Sequence, residues 1–108
     1  MGFLGGIQMK SKRAKACDIS QKVKSTVWER DLHCCVLCGA PGAPNAHYIS
    51  RGQSGLGIPE NVVTLCQSCH TAYDQSSQRE VLRNTIADYL RGKYPGWDDI
   101  RLTYQKGD

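Results

Sequence analysis

Residues 62–70 read VVTLCQSCH, a β-branched run that leads straight into a Cys-x-x-Cys pair and ends on a histidine. Val62, Val63, Thr64 and Leu65 have the make-up of a short strand. Cys66 and Cys69 then close a tight turn, and from Cys69 onward the pattern becomes helical. A second pair, Cys35-Val-Leu-Cys38, stands upstream, with Gly39 directly behind it to make the sharp turn. Two such turns supply four thiolates, the donor set of a closed tetrahedral zinc site. Disulfides or a thioredoxin-like redox pair compete with this reading, but neither a secretory pattern nor a βαβ pattern accompanies the cysteines. Cys35, Cys38, Cys66 and Cys69 are therefore the expected ligands of a structural Zn2+. Cys34 is the alternative to Cys35, although the Cys-x-x-Cys turn is the tighter geometry. Cys17 and Cys34 otherwise read as ordinary small residues. A closed four-thiolate site explains a fold, not a reaction.

At 108 residues, with 40% hydrophobic and 22% charged residues, the chain has the size of one domain with a thin core, which a metal would help to hold. No apolar run approaches the ~18 residues of a membrane span. The opening MGFLGGIQMKSKRAK places an apolar patch before the basic residues, the reverse of a secretory signal. A cytoplasmic location without an address signal is expected, in a bacterium or a phage-infected host. The net charge of +4 is concentrated near the start. Residues 1–24 hold Lys10, Lys12, Arg13, Lys15, Lys22 and Lys24 against Asp18 alone. A basic arm on a nearly neutral body suits a polyanionic partner. A solvated, disordered tail is the alternative.

The chain divides into a flexible basic arm over 1–18 and a single domain over 19–108. Ser20 is placed to cap a helix running to about Arg30, with Ile19, Val23 and Val27 on one stripe. GAPGAPN reads as an irregular loop, AHYIS as a short strand, and RGQSGLGIPEN as a second loop. A strand–loop–strand–helix core is expected over about 45–76. A second helix over 77–92 starts at the capping box Ser77-Gln-Arg-Glu80 and carries Leu82, Ile86, Tyr89 and Leu90 on its apolar face. Trp97, Ile100, Leu102 and Tyr104 then fold back to enlarge the core.

Four polar residues stand out on this scaffold: His47, Asn61, His70 and Asp74. His70 and Asp74 are four apart on an expected helix, so they share a face. They can hold one divalent cation, or form a surface pair. Asn61, taken alone, is a turn residue.

Together these positions resemble the HNH (ββα-metal, His-Me finger) endonucleases, from VWERDLHCCVLCG through NAHYISRGQSGLGIPENVVTLCQSCHTAYD. The similarity is nearest to small phage- and prophage-type members. The resemblance implies an α+β fold, a ββα-metal core with two zinc knuckles flanked by N- and C-terminal helices. It implies hydrolysis of DNA phosphodiesters, double-stranded DNA being the expected substrate, to 5′-phosphate and 3′-hydroxyl ends. His47 falls at the general base, Asn61 at the residue that braces the loop and orients the imidazole, and His70 at a helical metal ligand. Asp74 falls one turn later, where some members place a second ligand for Mg2+, Mn2+, Ni2+ or Zn2+. Arg51 is a candidate phosphate clamp, and the basic residues of the arm would hold the nucleic-acid backbone. The resemblance also suggests a phage terminase as a partner.

The chain departs from the family at Ala46, where members carry an Asp or His ligand before the base. Either His47 is the base and the metal has fewer protein ligands, or the register slips so that His47 is a ligand and Tyr48 the base. A non-catalytic zinc-knuckle module that binds nucleic acid is the third reading.

Overall fold

The computed structural model describes residues 11–105, so Lys10 of the expected basic arm lies outside the described residues. Ser11 caps a one-and-a-half-turn helix, α1 (Lys12–Cys17), by accepting from the Ala14 amide. The expected flexible arm is thus helical from Lys12, and Cys17 at its end is fully buried. Ser20 caps α2 (Gln21–Arg30) through the Val23 amide, as the sequence leads one to expect, and Val27 is buried on its inner face.

Helix α2 stops on two consecutive left-handed residues, Leu32 (φ 57°) and His33 (φ 64°). Their amides donate to the carbonyls of Glu29 and Trp28, and the His33 ring stacks on Trp28 with centroids 3.7 Å apart. Leucine has no side-chain reason to adopt this conformation, and Leu32 is 79% exposed, so it gains nothing by burial. Leu32→Asn is expected to stabilise the protein by about 0.5–1 kcal/mol, since asparagine tolerates the left-handed region. A rise in the urea midpoint at unchanged slope would show it; an unchanged or lower midpoint would contradict it.

The sheet is a single antiparallel pair, β1 (Ala43–His47) and β2 (Val62–Leu65), with His47 opposite Val62 and Ala46 opposite Val63. β2 falls where its β-branched run places it, and all four of its residues are buried. β1 begins earlier than AHYIS, inside the stretch expected to be loop. Pro44 is accommodated because β1 is an edge strand whose pairing is irregular between Ala43 and Ala46.

β2 runs into α3 (Gln67–Gln75), with the Cys66 sulfur at the N-cap accepting from the Cys69 amide. Tyr73 is buried on α3, and its hydroxyl donates to the Tyr48 carbonyl at 2.6 Å, which fastens the helix to the chain beyond β1. The order strand, strand, helix therefore holds over residues 43–75.

Helix α4 spans Arg79–Lys93 and passes through Gly92 before stopping at Tyr94. The expected capping box does not form. Gln78 is the N-cap without a side-chain bond, and Ser76 instead accepts from the Gln78 amide. Ile86 and Leu90 are fully buried, with Leu82 and Tyr89 at the border of the core. The tail folds back through Leu102, 2% exposed, and Trp97, whose indole N–H donates to the Glu60 carbonyl. Ile100 does not join it: at 72% exposure it lies outward on a 3₁₀ turn, Asp99–Arg101. The result is a small mixed α+β fold with four α-helices and one two-stranded sheet among the described residues. No helix among them is long and apolar enough to cross a membrane.

Candidate functional site

β2 carries both cysteine turns. Cys66 follows it directly, and the Thr64 carbonyl accepts from Val36 in the first turn at 3.0 Å. That turn closes through Gly39, at φ +82°, whose amide donates to the Cys35 carbonyl. The four sulfurs of Cys35, Cys38, Cys66 and Cys69 consequently lie within 4.8 Å of one another. The Cys38–Cys66 separation is 3.6 Å. A disulfide needs about 2.05 Å, whereas zinc at about 2.3 Å from four tetrahedral sulfurs sets them about 3.8 Å apart. The spacing fits a metal ion such as zinc, and the cysteines are unpaired with one another.

The thiols are also in electrostatic conflict without a cation. Burial pushes the Cys35 thiol up, but N–H groups of Cys66, Cys38 and Leu37 bring it down to about 7. Burial and the neighbouring sulfurs push Cys69 up. One thiolate forms readily and opposes the next, and a divalent cation removes that opposition. Cys34 is not among the four.

The second set of polar residues begins at His70, which follows Cys69 directly in the chain. His47 is half-buried at the end of β1, and its Nε2 lies 2.9 Å from the Cys17 carbonyl oxygen at the end of α1. Burial depresses the pKa of His47. The Cys17 carbonyl and Asp18 oppose the shift, while the charges of Arg51 and His70 add to it. The shift favours the neutral ring. His70 and Asp74 share a face of α3, as their spacing requires, with Nε2 and Oδ2 3.5 Å apart. His70 also borders a cleft lined by Gly42, Asn45, Leu65, Cys66 and Gln67. Among the described residues, the four cysteines are the one group of three or more His, Cys, Asp or Glu side chains close enough to enclose a cation. His70 and Asp74 thus offer two protein donors to a cation, not a closed cage.

Asn61 is fully buried and braces the loop between the strands. Its Oδ1 accepts from the Ile49 amide, and its Nδ2 donates to the carbonyls of Ile49 and Leu56. Both amide protons are engaged there. The hold on the imidazole expected of Asn61 is made instead by Cys17. Ala46 is 1% exposed in the core, so its position offers neither a donor nor an opening. Tyr48 is 3% exposed, packed edge-on against Trp97 and beneath Arg83, and burial raises its pKa. It has neither the exposure nor the basicity for proton abstraction at neutral pH.

Arg51 is exposed and pairs with Asp18, and its backbone carbonyl accepts from Arg13. Lys12, Arg13 and Lys15 lie on α1, and Lys22 and Lys24 on α2; Arg13 is committed to the loop at Arg51 and Ser54. Cys17 and Asp18 were absent from the residues singled out in the sequence. A backbone carbonyl leaves no letter to read, and Asp18 enters the sequence reading only through the charge balance of the basic arm. Comparisons with family models, with curated proteins and with solved structures return no match.

Proposed function

We propose that the chain is a small HNH-type endonuclease that hydrolyses DNA phosphodiester bonds, built around a structural zinc held by Cys35, Cys38, Cys66 and Cys69. The observation that carries this reading is the half-buried His47, its pKa lowered by burial, with Arg51 and His70 near enough for their charges to act on it. A neutral imidazole with a free lone pair is a proton acceptor at physiological pH, typically worth about 10²–10⁴-fold in rate. In this reading His47 takes a proton from the attacking water as the water oxygen bonds to phosphorus. The bond to the 3′-oxygen breaks, and that oxygen leaves protonated by solvent, giving 5′-phosphate and 3′-hydroxyl ends. His70 and Asp74 would hold a divalent cation such as Mg2+, Mn2+, Ni2+ or Zn2+, which supplies charge neutralisation at the phosphate. Arg51 would offer its remaining guanidinium N–H groups to a phosphate oxygen while its pairing with Asp18 is kept. Lys12, Lys15, Lys22 and Lys24 would contact the backbone without reading sequence.

A second reading, a zinc-knuckle module that binds nucleic acid without cutting it, is favoured by the two-donor character of the His70–Asp74 pair and by Ala46. The two separate on supercoiled plasmid incubated with Mg2+, Mn2+ or Ni2+ and with EDTA. The nuclease converts plasmid to the nicked or linear form and stops when EDTA is added. Retarded but intact plasmid under every metal would favour the binding module and remove the catalytic reading.

A further inference from the structure

Helix α1 is too short to be stable alone, yet it is seated firmly on the loop between the strands. The Gly57 amide donates to the Ala16 carbonyl at 2.9 Å. A Cβ at Gly57 would lie 2.0 Å from the Asp18 carbonyl oxygen, so only glycine lets the two backbones approach this closely. Arg13 donates to the Ser54 hydroxyl at 2.8 Å and to the Arg51 carbonyl at 2.7 Å. Asp18 completes the seat by pairing with the Arg51 guanidinium. Every one of these contacts joins α1 or its cap to residues 51–57, and together they deliver the Cys17 carbonyl to His47.

A carbonyl oxygen only accepts hydrogen bonds, so the His47 nitrogen 2.9 Å from it must be the donor. A neutral imidazole has one N–H. With that proton on Nε2, the lone pair is on Nδ1. We propose that α1 is a working part of the His47 site: the Cys17 carbonyl holds the proton on Nε2 and leaves Nδ1 as the atom that accepts a proton from water. Cys17 is a positioning residue acting through its backbone, and Gly57 is the seat that makes the contact possible. This inference rests on the nuclease reading for its chemistry but not for its geometry.

The test follows both. In full-length protein labelled with 15N, the His47 Nε2–H should give a resolved, slowly exchanging proton signal with a nuclear Overhauser contact to the Cys17–Asp18 backbone. Gly57→Ala, which drives α1 off its seat, should abolish that signal and slow plasmid nicking by about 10–100-fold through loss of orientation, with rates compared at equal occupancy of plasmid because α1 also carries Lys12 and Lys15. Should Gly57→Ala not fold, Arg13→Ala removes two exposed anchors without touching the core, and a weaker signal with a smaller loss of rate is expected. A His47 signal at Nδ1–H, a signal that survives the displacement of α1, or nicking that rises when α1 is displaced would each overturn the proposal. If wild type never nicks, the nuclease reading fails separately, and the imidazole signal alone decides whether α1 sets the tautomer.

Discussion

Replacing Cys66 by serine is expected to unfold the protein outright. Cys66 holds two positions at once: its sulfur belongs to the four-thiol group, and it caps α3 by accepting from the Cys69 amide. It is also the junction through which β2 passes into α3. A filled four-thiolate zinc site contributes about 10–16 kcal/mol of apparent binding free energy, against a net stability of about 5–15 kcal/mol for a typical domain. The metal term therefore equals or exceeds what is left to lose. The fold agrees with this dependence, since the described residues form a single pair of strands, which is marginal without further support. Metal analysis of purified wild type should find about one zinc per chain, and a strong chelator should abolish the far-ultraviolet circular dichroism of the folded state. A Cys66→Ser protein that keeps this spectrum without zinc would refute the assignment.

Asp31→Ala should be nearly as damaging, through a different device. Asp31 is 6% exposed at the end of α2, and its carboxylate receives four hydrogen bonds. Oδ1 accepts from Arg30 Nε at 2.7 Å and from the Tyr89 hydroxyl at 2.5 Å; Oδ2 accepts from Arg30 at 3.0 Å and from the Thr64 amide at 2.8 Å. Arg30 spends its remaining donors on the carbonyls of Pro59 and Val62 and on the Tyr94 hydroxyl. One ion pair thus joins α2, β2, the turn before it and α4. The Arg30 side chain is 10% exposed and that of Asp31 not at all, so removing the carboxylate leaves a nearly buried guanidinium without its counterion. Such a loss costs about 3–5 kcal/mol.

The same pair sets a pH dependence. Burial pushes the Asp31 carboxyl up, but Arg30, the Tyr89 hydroxyl and the Thr64 amide more than reverse this, so its pKa ends below the ordinary 3.8. The unfolded chain therefore takes up this proton at a higher pH than the folded one. The stabilisation is complete above the unfolded value and is lost as pH falls through the folded value. Urea denaturation from pH 7 down to pH 2 should show wild type losing its advantage over Asp31→Ala below about pH 4. A constant gap between the two curves would contradict the role given to the carboxylate.

Much of this molecule is legible in its letters where local chemistry and tertiary structure agree. The two Cys-x-x-Cys turns, the β2 run VVTL, the Ser20 cap of α2 and the shared face of His70 and Asp74 all follow from spacing and side-chain type. β1 is less legible because Pro44 argues against a strand, and only the geometry of an edge strand makes it tolerable. The Ser77–Glu80 pattern promises a capping box, yet Ser76 does the local bonding and α4 starts at Arg79. Arg30 and Asp31 look like surface charges at a helix end, and nothing nearby in sequence announces Tyr89, 58 positions away. The hold on His47 is hidden for a further reason: it is made by the backbone of Cys17, and its seat depends on one glycine in a loop that has several.

The most direct test of the central claim is the rate of plasmid nicking by His47→Ala beside wild type, with the same metal and at equal occupancy of DNA. His47 is half-buried at a strand end and bonded to a backbone carbonyl, so its removal should leave zinc content and the folded spectrum unchanged. A loss of about 10²–10⁴-fold in rate is expected, with wild-type products bearing 5′-phosphate and 3′-hydroxyl ends. Equal rates for the two proteins would contradict the account.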